Sequence, residues 1–415
     1  MSRSLIAQVE HHIGPVLVDT ADGTPTVFPL EERVLAEILR LASTERVPVM
    51  ISAGGTTPAP VRIDETVRIS LSRLAEVREV NAGDFLVVAQ AGAVADSAVA
   101  AAEREGLLLP LDPTSGARST VGGAYMTDAV GPYAAGYGPF RDYILGARCI
   151  TSRGETVTFG GRTMKNVTGY EIARFLAGTL GLFAVAVELT MKTLPLPERR
   201  VVLTGSFGPK ADPFGVPNMC RAHVGVPFDA ARGAQSAGGS VKFAELIAES
   251  GLGGEILVGV GIEGMGKAVA RGAAAVRAAL ERAGARSVDE ERPEEFFRRR
   301  RDASERHAGP GLVTVTVPPS ASASLMREFR RSIPNIPVLA HPLLGRIHAK
   351  AGDPGAAAVI RGLTLAVGGK IPIVREQAIR EGFGGMFTPE ELTVARALKR
   401  ELDPAGVLNP HLKLG

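Results

Sequence analysis

Residues 111–133 read LDPTSGARSTVGGAYMTDAVGPY, a run in which glycine, hydroxyl side chains and tyrosine replace the alternating apolar pattern of ordinary core. The stretch it opens, Leu111 to Met191, holds all five tyrosines (Tyr125, Tyr133, Tyr137, Tyr143 and Tyr170) and an apolar segment, 173–187, punctuated by Gly178 and Gly181. Glycine at this density lets backbone N–H groups approach a ligand that a Cβ would keep away. The same glycines also suit plain turns between strands, and the stretch alone leaves both readings open.

Outside this stretch, length and composition bound the answer. A chain of 415 residues has room for two domains, and a formal charge of +3 is too small to imply a nucleic-acid partner. Residues 1–17 carry Glu10, His11 and His12 where a secretory signal needs an apolar core, and no window is apolar for long enough to span a bilayer, so a cytoplasmic protein without a transmembrane segment is expected. Cys149 and Cys220 stand far apart with no Cys-x-x-Cys spacing. Neither a disulfide framework nor a thiolate metal or iron–sulfur site is expected, and any iron–sulfur cluster would belong to a partner.

Taken in order, residues 32–44 place Val34, Leu35, Ile38, Leu39 and Ala42 at helical spacing and 47–51 form an apolar run suited to a buried strand. That strand ends in Ser52-Ala53-Gly54-Gly55-Thr56-Thr57-Pro58, which can present N–H groups to one concave point as a nest for pyrophosphate, or serve only as a turn; the Gly-x-Gly-x-x-Gly dinucleotide pattern is absent. Residues 85–91 read as a strand, 95–105 as an alanine-rich helix, and 144–151 with 155–159 as a hairpin joined by Ser152-Arg153-Gly154. Past Pro197, strand-like 255–262, helical 267–283 and 293–306, strand-like 312–317 and helical 320–332 suggest an antiparallel sheet covered on one side. On the second of these helices, Arg298-Arg299-Arg300-Arg301 reads as a solvated face, with a docking surface for an acidic partner as the alternative. Near the end, Thr388-Pro389-Glu390-Glu391 is a helix start with a capping box, and Leu392, Ala395, Leu398 and Leu402 form an apolar stripe. Asp403-Pro404-Ala405-Gly406 then turns the chain, leaving Asn409 either to reach a ligand or to cap the turn before Pro410.

Four ordered motifs carry a family resemblance: Ser119-Thr120-Val121-Gly122-Gly123; Gly138 followed by Arg141-Asp142-Tyr143-Ile144-Leu145-Gly146; Met164-Lys165-Asn166-Val167-Thr168-Gly169-Tyr170; and Gly178-Thr179-Leu180-Gly181. In order and spacing they resemble the FAD-binding domain of the vanillyl-alcohol-oxidase (PCMH) type. Within that family the likeness is to the FAD-binding E subunits of glycolate oxidase, whose C-terminal signature is matched by Leu398-Lys399 and Leu402-Asp403-Pro404-Ala405-Gly406-Val407-Leu408-Asn409-Pro410. The resemblance covers 25–195 and the last thirty residues well, and the middle only in outline.

The resemblance implies an α+β protein of two lobes: a PCMH-type FAD-binding domain over 1–198, an α/β cap with an antiparallel sheet over 199–384, and a segment, 385–415, that returns to the FAD domain. It implies FAD at Gly54, Gly55, Thr56 and Thr57 (pyrophosphate loop), Ser119, Thr120, Gly122 and Gly123 (along the flavin and pyrophosphate), Val185 (adenine end), and Pro113, Thr127 and Gly131 as lining. Two departures remove side-chain donors: Ser52-Ala53 stands where the family has an Arg, and Ala124 where it has an Asn. No His or Cys lies between Val47 and Arg148 to tether the flavin, so the FAD is expected to be non-covalent. Relatives that oxidise 2-hydroxy acids use a His-x-x-x-Asp-Gly-Asn-x-His metal pattern; here the comparable strand reads His341-Pro342-Leu343-Leu344-Gly345-Arg346-Ile347-His348, and no metal is expected. Candidates for catalysis are His341, as an acid/base group or a core histidine, and Asn409.

The function implied is oxidation of a small 2-hydroxy acid of the glycolate or lactate class by an FAD-dependent subunit passing electrons to partners. Those partners are a paralogous FAD-linked catalytic subunit and an iron–sulfur subunit, through which the protein would sit at the inner face of the cell membrane. The alternative is a non-catalytic FAD-bearing relay or bracing subunit. The fold also carries NADPH-dependent peptidoglycan-precursor reductases, whose motifs lack the Asp403 to Pro410 ending.

Overall fold

The computed structural model describes residues 2–13, 17–19, 25–56, 66–112, 118–163, 171–217, 219–220, 240–307, 311–370, 389–410 and 412. The first lobe holds a small sheet of β1 (Leu17–Asp19), β2 (Thr26–Phe28), β3 (Val49–Ser52) and β4 (Val67–Ser70) in the order β1-β2-β4-β3. Its last three strands are parallel, and the helix Glu32–Glu45 joins β2 to β3. This helix forms because its apolar residues recur at helical spacing and bury Leu35, Ile38, Leu39, Leu41 and Ala42. Each leucine so buried contributes about 1.5–3 kcal/mol. Arg46 ends the helix in the left-handed region, its N–H closing onto the Ala42 and Ser43 carbonyls.

Beside it lies an antiparallel sheet of β5 (Val77–Asn81), β6 (Leu86–Gln90), β8 (Ile144–Ile150), β9 (Thr156–Gly160) and β10 (Val185–Lys192), ordered β5-β6-β10-β8-β9. The hairpin expected over 144–159 is thus β8 and β9, paired from Gly146 and Gly160 to Ile150 and Thr156. Two short strands, β7 (Leu107–Leu108) and β11 (Leu194–Pro195), pair at the passage to the second lobe.

The second lobe is one seven-stranded antiparallel sheet: β12 (Arg199–Phe207), β13 (Ser240–Ala248), β14 (Ile256–Gly264), β15 (Ser287–Glu291), β16 (Leu312–Thr316), β17 (Val338–His341) and β18 (Arg346–Lys350), ordered β15-β12-β14-β13-β17-β18-β16. Side chains alternate between its faces with period two. Leu203, Leu246, Ile256, Val258, Val260, Val338 and Ala340 turn to one face, into a core shared with the helices Gly266–Arg282, Ser322–Ser332 and Pro354–Ala366. Their neighbours Val202, Phe243, Ile247 and Leu339 turn to the other, where they meet Phe296 and Phe297 of the helix Pro293–His307 and Tyr133 of the first lobe. The expectation of a sheet covered on one side is therefore corrected. Both faces are covered, and the second carries Glu245, Glu263 and His341, each one residue out of phase with the apolar core positions.

The C-terminal helix Pro389–Leu402 packs Ala395, Leu398 and Leu402 against the core of the five-stranded sheet. Thr388 and the Glu391 side chain, on which the capping box rests, lie outside the described residues. Beyond the helix the Asp403 carboxylate accepts the N–H groups of Val407 (3.1 Å) and Leu408 (2.9 Å), which shapes the turn. The tail then runs parallel to β3: the Val49 N–H donates to Val407 O and the Asn409 N–H to Val49 O, each at 2.9 Å. No described helix is long and apolar enough to cross a membrane.

Candidate functional site

The parallel strands β3 and β4 end together, and such carboxyl ends are where open α/β sheets present loops to ligands. At the end of β3, Gly54 lies so close to the Arg118 carbonyl that a Cβ would sit 1.8 Å from its oxygen, with Thr120 Cγ2 at 3.2 Å. The loop 54–56 and the segment beginning at Arg118 are thereby brought side by side. Among the described residues no acceptor takes the N–H groups of Gly54, Gly55 or Thr56. Gly55 has φ +65° with nothing within 4 Å of its missing Cβ, an open and left-handed position that favours glycine. Thr57 and Pro113 lie outside the described residues.

Ser119 and Thr120 are buried, and Thr120 caps the short helix Val121–Met126 by accepting the Gly123 N–H at 3.0 Å. The neighbouring donors are also engaged, the Val121 N–H by Ala93 O and the Gly122 N–H by Ala91 O, both at 2.8 Å. A Cβ on Gly122 would sit 2.5 Å from that of Ala91, so glycine is required there by packing alone. Among the described residues, donors for an anionic ligand thus remain in the loop 54–56, whereas Gly122 is buried and Gly123 half-buried with its N–H engaged. Thr127 closes the helix. Gly131 abuts the Asp112 carbonyl, where a Cβ would approach to 1.8 Å, and Val185 begins β10 opposite Ile150, fully buried.

Asn409, also buried, sits at φ +44°, a conformation asparagine tolerates better than most residues. Its Oδ1 accepts the Ile51 N–H at 2.9 Å, and its Nδ2 donates to Leu180 O at 2.9 Å and Gly181 O at 3.2 Å. One side chain therefore joins the strand that delivers the 54–56 loop, the turn that delivers Val185, and the tail.

Between the lobes runs a buried polar seam. On one side Glu263 accepts hydrogen bonds from Tyr133 Oη at 2.7 Å and from Tyr137 Oη, with Lys242 Nζ 4.6 Å from the Tyr137 ring. Desolvation raises the Glu263 pKa against the opposing pull of the two phenols, Arg200 and Lys242. On the other, Arg300 Nη2 points to Asp112 O at 3.4 Å and its Nε lies 3.9 Å from Glu245 Oε2, while His341 Nδ1 lies 3.5 Å from Glu245 Oε1. Glu245 and His341 are 0% and 1% exposed, and among the described residues neither the Glu245 oxygens nor the His341 nitrogens have a hydrogen-bond partner. Burial pushes Glu245 up to about 8 and Asp112 up to about 7, both opposed by Arg300. Burial first, and then His348, Arg300 and Arg346, hold His341 well below the usual imidazole range, so its ring is neutral at physiological pH.

The arginine run departs from the solvated face read in the sequence. Arg300 is fully buried in the seam, Arg301 pairs with Asp96 of the first lobe at 3.3 Å, and Arg299 pairs with Glu291. A helix turns about 100° per residue, so four consecutive arginines cannot share one fate. Asp112, Glu245 and Glu263 were not singled out from the sequence, and Arg300 was read only as part of the exposed run. For the two glutamates a signal exists: each is the lone acid in an apolar strand, SVKFAELIA and ILVGVGIEG. His348 stands 5.5 Å from His341 ring to ring and bonds Thr314 Oγ1 through Nδ1, and the described residues contain no group of three or more His, Cys, Asp or Glu that could hold a metal ion.

Comparison with known proteins identifies the matched stretches. Residues 25–160 match the family described as FAD binding domain, and residues 379–412 the family described as FAD linked oxidases, C-terminal domain. The chain is 32% identical over 190 residues to a D-lactate dehydrogenase of Archaeoglobus fulgidus, covering 45% of this chain and 42% of that one. It is 36% identical over 121 residues to the glycolate oxidase subunit GlcE of Escherichia coli, covering 29% and 35%. These matches span less than half the length of either relative. Among solved structures, p-cresol methylhydroxylase superposes with a TM-score of 0.70 at 12% identity, over 99% of this chain and 96% of that one. The chain thus has the PCMH-type fold, and FAD is the cofactor its matched domain carries.

Proposed function

We propose that this chain is an FAD-dependent oxidoreductase, or a subunit of one, that takes part in oxidising a small 2-hydroxy acid of the lactate or glycolate class. The observation that carries the reading is the convergence of the 54–56 loop with the Arg118–Gly123 segment, which leaves three N–H groups without an acceptor among the described residues, beside a position without a Cβ. The resemblance to proteins named D-lactate dehydrogenase and glycolate oxidase subunit supplies the substrate class.

The residues fit the cofactor in kind. N–H groups of Gly54, Gly55 and Thr56 would meet pyrophosphate oxygens, and charge-assisted bonds from backbone donors are strong enough to replace the missing arginine. Ser119, Thr120, Gly122, Gly123, Thr127 and Gly131 would line the flavin, and Val185 the adenine end. When bound, FAD supplies a two-electron acceptor for the substrate's hydride. The chain's part is to hold the substrate, exclude water and accept the hydroxyl proton. For that proton, His341 is a neutral imidazole with no hydrogen bond on either nitrogen among the described residues, and is the candidate base at Nδ1 or Nε2.

A second reading, an FAD-bearing subunit that relays electrons or braces a paralogous catalytic subunit and an iron–sulfur subunit, is favoured by one observation. His341 is sealed at 1% exposure in a seam whose charges are drawn from the protein itself. Anaerobic mixing of the FAD-loaded chain with D-lactate or glycolate separates the two. Bleaching of the flavin absorbance at a saturable rate supports a catalytic subunit. Flavin that stays oxidised with both acids, yet is reduced by dithionite, overturns it in favour of the relay.

A further inference from the structure

Glu263 takes no part in the chemistry above, yet it is among the most deliberately held groups in the molecule. It is an acid on an otherwise apolar strand, 1% exposed, and both of its oxygens accept phenolic O–H groups from the opposite lobe. Burying a carboxylate is costly unless it is hydrogen-bonded, and leucine or valine at this place would carry no such cost. The contacts continue in one direction. Tyr133, whose Oη reaches Glu263, donates its own N–H to Asp112 Oδ2 at 2.6 Å, and Asp112 in turn packs on Gly131. The short helix Ala134–Tyr137 rides directly on β13, where a Cβ on Gly136 would sit 2.7 Å from Lys242 Cα. Asp112 and Gly131 flank the cofactor-lining stretch, so the carboxylate on the cap and the lining on the other lobe are three contacts apart.

We infer that Glu263 is a positioning residue for the flavin: gripped by Tyr133 and Tyr137, it sets the 131–137 segment and Asp112, and so fixes how the cap closes over the cofactor lobe. The inference rests on the FAD reading above. The two phenols give the grip its direction, since a single hydrogen bond would leave the carboxyl group free to turn about the Tyr133 oxygen, while β14 itself is held between β12 and β13. Phe243, Phe297 and Tyr137 all stand edge-on to the Tyr133 ring and hold it in place.

The test uses the full chain, stripped of flavin and titrated with FAD, with visible circular dichroism of the bound flavin and thermal unfolding of the apoprotein read in parallel. Glu263→Gln keeps the shape but accepts from one phenol only and must donate its amide N–H to the other, reversing that bond, and it should raise the FAD dissociation constant by about tenfold and alter the dichroism. Tyr133→Phe should do the same, and Tyr137→Phe less. Arg301→Ala, which breaks another contact between the lobes, should leave both readouts unchanged. A Glu263→Gln or Tyr133→Phe protein that binds FAD with wild-type affinity and dichroism, even at a lowered unfolding temperature, shows a merely structural role and overturns the inference. If Glu263→Gln does not fold, Tyr133→Phe decides on the same readouts. A wild-type chain that takes up no FAD fails at the earlier step and overturns the FAD reading and this inference together.

Discussion

At the residue scale, the buried seam makes stability depend on pH through groups that titrate far from their usual values. Glu245, pushed up to about 8, binds its proton more tightly in the folded chain than in the unfolded one. Its contribution to stability is complete at low pH and is lost as pH rises from the ordinary carboxylate range through about 8, at no more than about 1.4 kcal/mol per pH unit. His341 works in the opposite sense. Its folded pKa lies well below the unfolded one, so it costs stability as pH falls below about 6.5. Glu245→Gln should therefore match the wild type near pH 4 and become the more stable of the two by pH 8.5, measured by urea unfolding; parallel curves across that range would show that Glu245 carries no such proton. A second pair of variants separates ligand from packing. Gly55→Ala puts a methyl group into open space, costs about 1–2 kcal/mol for the left-handed backbone, and should strip FAD affinity from a protein that still folds. Gly122→Ala drives a methyl group onto Ala91, and urea unfolding should show a larger loss of stability than for Gly55→Ala, with or without flavin. Both glycines were visible in the sequence. Which of them faces a ligand was not, because that depends on Arg118 and Ala91 arriving from elsewhere in the chain.

At the scale of elements, the clearest feature is how the C-terminal helix and tail hold the cofactor lobe. Lys399 Nζ reaches Asp403 Oδ2 at 2.6 Å and the carbonyls of Leu182 and Leu408, and Asp403 shapes the turn that sends Asn409 to Ile51, Leu180 and Gly181. Asn409→Ala leaves the Ile51 N–H and two carbonyls without that partner, which should lower stability by about 1–3 kcal/mol. It should also weaken FAD binding, because the strand ahead of Gly54 loses its anchor; unfolding and flavin titration on the same sample check both, and an unchanged flavin affinity would separate the tail from the cofactor. The apolar stripe of this helix could be read from spacing alone, since helical period needs no knowledge of the partner. Which of two roles Asn409 plays could not. Turn-capping and ligand contact ask for the same side chain, and the bonds it makes, to Ile51, Leu180 and Gly181, join residues that spacing alone does not bring near it. The cap sheet shows the same limit. Its strands at 256–264 and 312–316 follow from local pattern, but alternation shows only that Glu245 and Glu263 lie off the apolar core face, not that a second lobe covers them.

At the scale of the molecule, two lobes, a polar seam and a tail meet around the proposed flavin site. Deleting residues 403–415 removes the pairing along β3 and the Asn409 contacts together, and should reduce FAD retention while far-ultraviolet dichroism changes little; retention equal to that of the full chain would break the link between tail and cofactor. The two-lobed fold was legible because glycine-rich motifs and strand patterns are local, whereas the seam joins Asp112 to Arg300 and Tyr133 to Glu263, pairs separated by well over a hundred positions. The measurement that tests the central claim most directly is flavin stoichiometry after acid precipitation of the purified, FAD-reconstituted chain. The account predicts close to one FAD per chain, recovered in the supernatant with a colourless pellet. A yellow pellet would contradict the non-covalent site, and a colourless protein that cannot be reconstituted would contradict the cradle at Gly54, Gly55 and Thr56 itself.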